Sequence, residues 1–577
     1  MKEDFYKIDE TIQNSSLYSE DLAPIAPQDR TWTTWNLATL WVGMAVCIPT
    51  YMLAASMITS GISWWGALLI IGLGNLIVTI PMVLNGHAGT KYGIPFPVVG
   101  RAAFGTTGIH IASLIRALVA CGWFGIQTWL GGLALFAIGW ILAGGSPAEI
   151  PGGTGLGQFI GFGLFWLMNV YFIWKGTDSI RWLEEWSAPI LIGMGLLLIG
   201  WGWSQAGSFG LVLQQSEQLK QATAIYNNDN EPVTIAVHPL RDKNGQLKAT
   251  KIAAWGMADG DTPLAVHWMP LEGADLNYIP IGHTNGVASG SKILVQFANE
   301  ETQSSIVEAS QPIEEGASWL TYLGFLTIMV GFWGTMAISV ADITRYVPTQ
   351  RSQILGQFIG LPGTMILYSF VGIFVTCAAI INFDGILIGN DAPWDPVQLL
   401  NQFESKWVVL VAQIFMLIAT LSTNIAANVI APANAFSNVA PKAISFRTGG
   451  FITAFIGILI CPWALIGDII PILLFVSGLL GPVLGVLVAD YFLVRKTKLN
   501  LMDLYNEHGQ YGGFNFAAML ALAIGVGVVL LGFFVPLLEI LYQLSWFTGF
   551  FASLLVYWGL GKNNQEQKIK AKDVLDD

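Results

Sequence analysis

Apolar stretches of roughly twenty residues, the length a helix needs to cross a bilayer, recur along this chain between short polar breaks. We mark twelve, with cores at 37–60, 65–84, 108–142, 158–175, 187–205, 318–341, 354–382, 407–430, 449–466, 468–490, 515–536 and 541–560. The third and seventh are long enough to tilt or to carry a re-entrant piece. Only Gly467 and Asp468 divide the ninth from the tenth. The pattern predicts an all-α membrane protein of twelve transmembrane helices.

Residues 207–315 interrupt that rhythm. They carry thirteen acidic and six basic side chains. Stretches at 233–237 and 292–297 alternate like strands, and Asp242-Lys243-Asn244-Gly245 reads as a hairpin turn. A small β-rich insert between the fifth and sixth spans follows. His238, His267 and His283 lie in it at spacings that fit no metal motif, so they read as solvated surface histidines. The chain then divides into an N-terminal segment (1–35), helices 1–5 (36–206), the insert (207–315), helices 6–12 (316–560) and a tail (561–577).

Charge sharpens this picture. Of the 577 residues 54% are hydrophobic and 11% charged, against roughly a quarter charged in soluble domains, and mean hydropathy is +0.58. That excludes a soluble enzyme and leaves lipid as the solvent of most of the surface. Much of the net charge of −12 sits in the polar segments, so it is no steering field and implies no nucleic-acid partner. Cys47, Cys121, Cys377 and Cys461 all fall in apolar runs and read as small buried residues. The polar N-terminus has no signal-peptide pattern, so the first apolar run should remain as a span.

Lysines and arginines set the orientation. Lys91 with Arg101, Lys175 with Arg181, Arg345 with Arg351, Lys442 with Arg447, and Arg495 with Lys496 and Lys498 fall in alternate loops, and Lys562, Lys568, Lys570 and Lys572 fall in the tail. The intervening short loops carry almost none, Lys406 excepted. Both termini are therefore expected in the cytoplasm and the insert outside, in a multi-pass plasma (inner) membrane protein that we read as a monomer.

Polar groups within spans are costly and mark function by default. In the first span Pro49 removes a helix hydrogen bond and Gly43 weakens the same stretch. The freed backbone oxygens suit a cation, although on this span alone a proline kink is the better account. Gly331 and Gly334 flank Trp333 in the sixth span. Two breakable helices five spans apart point to an inverted five-plus-five repeat with a site between its halves. The eighth span holds Ser422, Thr423, Asn424 and Asn428. Hydroxyl oxygens suit a hard cation and amides a polar ligand edge, and helix–helix hydrogen bonding explains them equally well. In the third span Trp123 and Gln127 share one helix face, which suits stacking on a flat ring and bonding its edge. None of these four spans has a charge clearly at mid-membrane. Arg116, Asp342 and Arg345 read as end anchors or gate contacts, and an uncharged site implies a neutral or weakly charged substrate.

LeuTrpValGlyMet (40–44), TrpPheGlyIleGlnThrTrp (123–129), GlyPheTrp (331–333), SerThrAsnIleAlaAlaAsn (422–428) and GlyProValLeuGlyValLeuValAlaAspTyrPheLeuValArg (481–495) together resemble the nucleobase–cation symporters, the family of cytosine, uracil, allantoin and hydantoin permeases. The resemblance covers nearly all of the chain outside the insert. It implies the leucine-transporter fold with helices 1 and 6 broken around a central site. It implies that Trp123 and Trp333 sandwich a planar heterocycle while Gln127 and Asn428 bond its edges. It places a cation, sodium or a proton, at the carbonyls of Gly43, Val46 and Ala419 and the hydroxyls of Ser422 and Thr423. Cys47 and Phe332 depart from the sodium-coupled hydantoin member, which has a substrate-touching glutamine and glycine there. TyrSerGluAspLeuAlaPro (18–24) is closer to the allantoin and nucleobase members.

The reading is thus a cation-coupled importer of a neutral nitrogen heterocycle. An amino-acid:sodium symporter of the same fold would not need the paired tryptophans, a membrane enzyme would need a convergent acid–base pair that the spans lack, and a transporter-derived sensor would not need the hydroxyls of span 8. The charge bias makes a direct prediction. Single cysteines placed in 207–315 should react with an impermeant thiol reagent in intact cells, and labelling only after lysis would reverse the orientation.

Overall fold

The structure is a computed structural model. It describes residues 10–219, 319–394, 396–400, 402–465 and 469–575, and within the insert 223–225, 234–236, 240–242, 244–257, 268–271, 279–280 and 292–309.

Among these residues the first span is two helices, α1 (Thr34–Ala45) and α2 (Ile48–Thr59), meeting at 57°. Thr33 and Asn36 form a reciprocal cap at the start of α1, satisfying donors that a helix N-terminus leaves bare. Val46 (φ −81°, ψ 82°) and Cys47 (φ −140°, ψ 162°) are not helical. Pro49 sits in the first turn of α2, where a missing N–H costs nothing. The proline therefore starts a second helix and does not kink a continuous one.

Next come α3 (Trp64–Tyr92), α4 (Phe96–Phe104), α5 (Ile109–Leu142), α6 (Leu156–Lys175) and α7 (Thr177–Ala206). The last begins ten residues before the apolar core expected at 187. The sixth span is interrupted twice, as α8 (Trp319–Phe332), α9 (Gly334–Ser339) and α10 (Ala341–Thr344). Then follow α11 (Gln350–Asn382), α12 (Lys406–Asn428), α13 (Ile430–Val439), α14 (Phe446–Leu459), α15 (Ile469–Val488), α16 (Phe516–Phe534) and α17 (Ser545–Leu575). Among the described residues, eight helices are long and apolar enough to cross a bilayer, ten if each of two bent pairs counts once, and α8 and α14 are shorter apolar helices. The junction at 467–468 lies outside the described residues. Cys47, Cys121 and Cys377 are buried, but Cys461 is exposed in a turn at φ 53° after α14; an apolar neighbourhood in sequence did not guarantee burial at a helix end.

The insert forms a three-stranded antiparallel sheet of β1 (Thr223–Ile225), β2 (Thr234–Ala236) and β5 (Ile279–Pro280), and a four-stranded one ordered β4 (Met269–Pro270), β3 (Lys251–Met257), β6 (Lys292–Ala298), β7 (Val307–Ala309). The turn near Gly245 (φ 78°) closes on an Arg241–Leu247 bridge. His238, His267 and His283 lie outside the described residues. The larger sheet packs Ile252, Val295 and Phe297 onto Leu387 and Ile388 of the segment after α11. Leu240 N–H donates to Leu387 O at 3.1 Å and Lys248 Nζ to Phe383 O at 2.8 Å.

Loops expected on one side do meet one another. Lys91 donates to Thr497 O, Arg345 to Asp21 O and Ala23 O, Lys442 to Gln13 O and Arg495 to Ala102 O. Lys406 instead bonds Gly144 O, in another group of loops.

Close helix contacts rest on glycine, as in other bundles where backbones must approach without a hydrophobic drive. A side chain on Gly161 of α6 would strike the Gly132 carbonyl of α5, whereas one on Gly163 would meet nothing within 4 Å. Gly161→Leu should lower the unfolding midpoint in detergent, by the equivalent of about 1–3 kcal/mol of overpacking, and Gly163→Leu should leave it unchanged.

Candidate functional site

The ends of α1, α8 and α12 and the middle of α5 surround a cavity of about 30 Å³. Its lining includes Cys47, Trp123, Gln127, Phe332, Trp333 and Asn428, with Met44, Thr335, Met336, Thr423 and Ala427. The six residues predicted for the substrate are thus brought together from four spans.

Their arrangement differs from facing walls. Phe332 stands edge-on to Trp123 (5.6 Å, 76°) and to Trp333 (5.3 Å, 88°), and Trp333 is edge-on to Trp41 (5.4 Å, 80°). A water needs about 10–15 Å³ by this measure, so the cavity has room for a water or two and no heterocycle. Phe332, at the position where the sodium-coupled hydantoin member is expected to have a glycine, stands edge-on to both indoles and lines the cavity.

Two polar atoms in this lining are buried without partners: Gln127 Oε1, an acceptor, and Trp333 Nε1, a donor. Asn428 is positioned by a chain of amides. Its Nδ2 donates to Asn424 Oδ1 at 3.1 Å, and Asn424 Nδ2 donates to Asn169 Oδ1 and Thr128 Oγ1, each at 3.1 Å. Asn169 was not singled out from the sequence. A lone amide in the apolar run LeuMetAsnValTyr was the available signal.

The expected cation ligands lie beside this cavity. Thr423 Oγ1 is 3.1 Å from Gly43 O and 3.2 Å from Met44 O. Ser422 is fully buried, and Val46 and Ala419 pack in one cluster. A Cβ on Gly43 would lie 2.7 Å from Ser422 Oγ and would collide with Glu184 Oε2, so Gly43 is a cradle that only glycine keeps open. Glu184, from the second turn of α7, is 1% exposed and accepts from Ser422 Oγ at 2.8 Å; its Oε1 is buried without a partner. Oxygen donors, a cradle and an orphaned oxygen fit a hard cation. Glu184 falls between the apolar cores expected at 158–175 and 187–205. Once α7 is known to start at 177, Glu184, Ser187 and Leu191 fall on one helix face at i, i+3 and i+7. The site is therefore not free of charge, as the four spans considered alone had implied.

Arg116 is fully buried and donates from Nε to Ser339 Oγ at 2.9 Å and Thr335 O at 3.2 Å, and from Nη2 to Ala427 O at 3.2 Å. It ties α5 to α9 and α12 at one end of the cavity. Asp342 accepts from Phe96 N and Asn434 Nδ2, both at 3.0 Å. Arg345 holds the N-terminal segment.

The model of the family described as permeases for cytosine/purines, uracil, thiamine and allantoin matches residues 24–238 and 294–549. The chain belongs to this family. Its members are permeases and not enzymes. The match enters both ends of 207–315, so only 239–293 lies outside it. A purine-uracil permease of Arabidopsis thaliana is 34% identical, over 95% of this chain and 78% of its own length. An allantoin permease of Bacillus subtilis is 32% identical, over 96% of this chain and 94% of its own length. The fold is that of the nucleobase-cation-symport-1 transporter Mhp1, solved closed with bromovinylhydantoin bound: TM-score 0.66 at 23% identity, over 94% of this chain and 95% of the other. This permease is thus a multi-pass, mostly helical membrane transporter with a small sheet.

Proposed function

We propose that this permease imports a neutral planar nitrogen heterocycle of the nucleobase, allantoin or hydantoin type together with a cation, sodium, by alternating access. The observation that carries the reading is the pair of orphaned atoms among aromatic walls: a ring edge with adjacent N–H and C=O groups answers Gln127 Oε1 and Trp333 Nε1 together. An unmet buried hydrogen bond costs about 1–3 kcal/mol, so such a ligand removes a penalty the apo site carries. Trp123 and Phe332 supply ring contacts, Asn428 reads a second edge, and Cys47 closes the wall. Relatives named for purines, uracil and allantoin agree with this class of ligand.

The cation belongs at Gly43, Val46, Ala419, Ser422 and Thr423. When bound, it supplies positive charge that holds the broken end of α1 against α12. Counting α8 and α14 as crossings gives twelve spans in a five-plus-five repeat plus two, with both termini cytoplasmic, the 207–315 insert extracytoplasmic, and a monomer in the plasma membrane.

A binding panel of uracil, cytosine, adenine, allantoin and hydantoins tests the site. Asn428→Ala should weaken binding by roughly one to two decades and reorder the panel, because it removes an edge contact. Trp123→Ala should weaken all planar ligands alike, since stacking of about 0.5–1.5 kcal/mol per contact reads flatness. Wild-type affinity in both variants, with expression verified, places the site elsewhere.

A further inference from the structure

We propose that Glu184 is a direct ligand of the coupling cation, so that this permease binds its cation with a formal negative charge and not with neutral oxygens alone; the inference rests on the cation site proposed above.

The geometry converges on one point. Glu184 enters from α7, a helix that contributes none of the five expected ligands. Its neighbour Glu185 turns the other way and accepts from Asn36 at the start of α1, so the two adjacent acids are sorted to opposite ends of that helix. Glu184 Oε2 lies against the Cα of Gly43, where a Cβ would come 3.0 Å from the carboxyl carbon. It thus meets the last turn of α1, whose carbonyls at Gly43 and Met44 already face Thr423 Oγ1. Ser422 Oγ is shared between Glu184 Oε2 at 2.8 Å and Ser187 Oγ at 3.1 Å. Gly43 and Ser422, both expected cation ligands, are thus the contacts of Glu184.

That environment needs a positive charge. A buried carboxylate accepts up to about four hydrogen bonds. Here Ser422 donates one, Oε1 has no partner, and among the described residues no lysine or arginine pairs with Glu184. An uncompensated carboxylate in a low-dielectric interior is expensive, and the carbonyl ends of α1 repel it further. A cation between the carboxylate, the α1 carbonyls and the α12 hydroxyls relieves both. It also leaves the filled site neutral, whereas a monovalent ion held only by carbonyls and hydroxyls would bury a net charge. A hydrogen-bonding role toward Ser422 alone does not account for the orphaned Oε1 or for the glycine cradle that admits the carboxylate.

The test uses the full-length purified permease without heterocycle, at fixed pH and at ionic strength held constant with choline chloride. Its readout is the unfolding midpoint against sodium concentration. The wild type should be stabilised by sodium. Glu184→Gln keeps the size and an acceptor for Ser422 but removes the charge, and should need roughly tenfold or more sodium for the same shift. Glu184→Asp keeps the charge on a shorter arm and should respond at concentrations between the two. Ser422→Ala/Thr423→Ala reports on the cation site itself. Both variants losing the sodium response, with Asp retaining part of it, supports Glu184 as a ligand. Loss in the hydroxyl variant alone, with Glu184→Gln titrating like the wild type, overturns the inference and leaves the cation site standing. No sodium response in the wild type removes both. Should Glu184→Gln fold poorly, sodium affinity of the Asp variant decides: titration indistinguishable from wild type overturns the role, and a weakened one supports it.

Discussion

A bilayer offers no water to a broken helix, so every backbone oxygen released at such a break must be met by the protein. In this permease the decisive break is Val46–Cys47. The last carbonyls of α1 end in the bundle interior, and the local structure is organised around meeting them. Thr423 turns its hydroxyl to Gly43 and Met44. Gly43 carries no side chain because α7 and α12 crowd it. Pro49 then restarts the chain as α2 with no N–H to lose.

The second break is met differently. Gly331 is fixed by packing, because any side chain there would strike Ser477 of α15, whereas Gly334 has ordinary space around it. Of the two glycines that made the sixth span look breakable, one admits a neighbouring helix and only the other is free to serve flexibility. Trp333 sits between them at φ −99°, ψ 8°, in the sparsely allowed bridge region. Trp333 lines the cavity, and its indole N–H has no partner among the described residues.

Much of this was legible from one-dimensional pattern. Lipid demands long apolar runs, and those runs marked α5, α11 and α12 to within a few residues, and the start of α3, which continues to Tyr92. Breakers and mid-span amides pointed to Trp123, Gln127, Trp333 and Asn428, which converge because polar groups in a bilayer protein gather where they can satisfy one another. What sequence could not give was side-chain volume in three dimensions. Phe332 is one more phenylalanine in an apolar run, and only the structure shows it standing edge-on to both indoles. Glu184 was lost for another reason. Acids near a span end read as loop, and the rule that charge marks the boundary fails where a helix begins nearly three turns before its apolar core. Hairpin and strand signals in the insert were readable, but its docking on Leu387 and Ile388 joins segments far apart in the sequence, which no local pattern reports.

The packed cavity and the broken helix are two faces of the same few residues. Met44 and Cys47 line the cavity, while the Met44 carbonyl faces Thr423, which lines the cavity as well. A cation that draws Gly43, Met44, Ser422 and Thr423 together therefore sets the position of the wall that a ring would touch. In the other direction, a ring that displaces Phe332 presses on the α8–α9 junction, which Arg116 links to α12 through Ala427 O and to α9 through Ser339 and Thr335 O. Bound as proposed, each ligand changes the free energy of arrangements the other depends on, and such coupling is reciprocal by thermodynamic necessity. On that proposal no long pathway is needed, because Thr423 both lines the cavity and faces the α1 carbonyls, and the last two turns of α12 carry the hydroxyls and the Asn424–Asn428 amide pair. One broken backbone segment turns its carbonyl side to Thr423 and its side-chain side to the cavity.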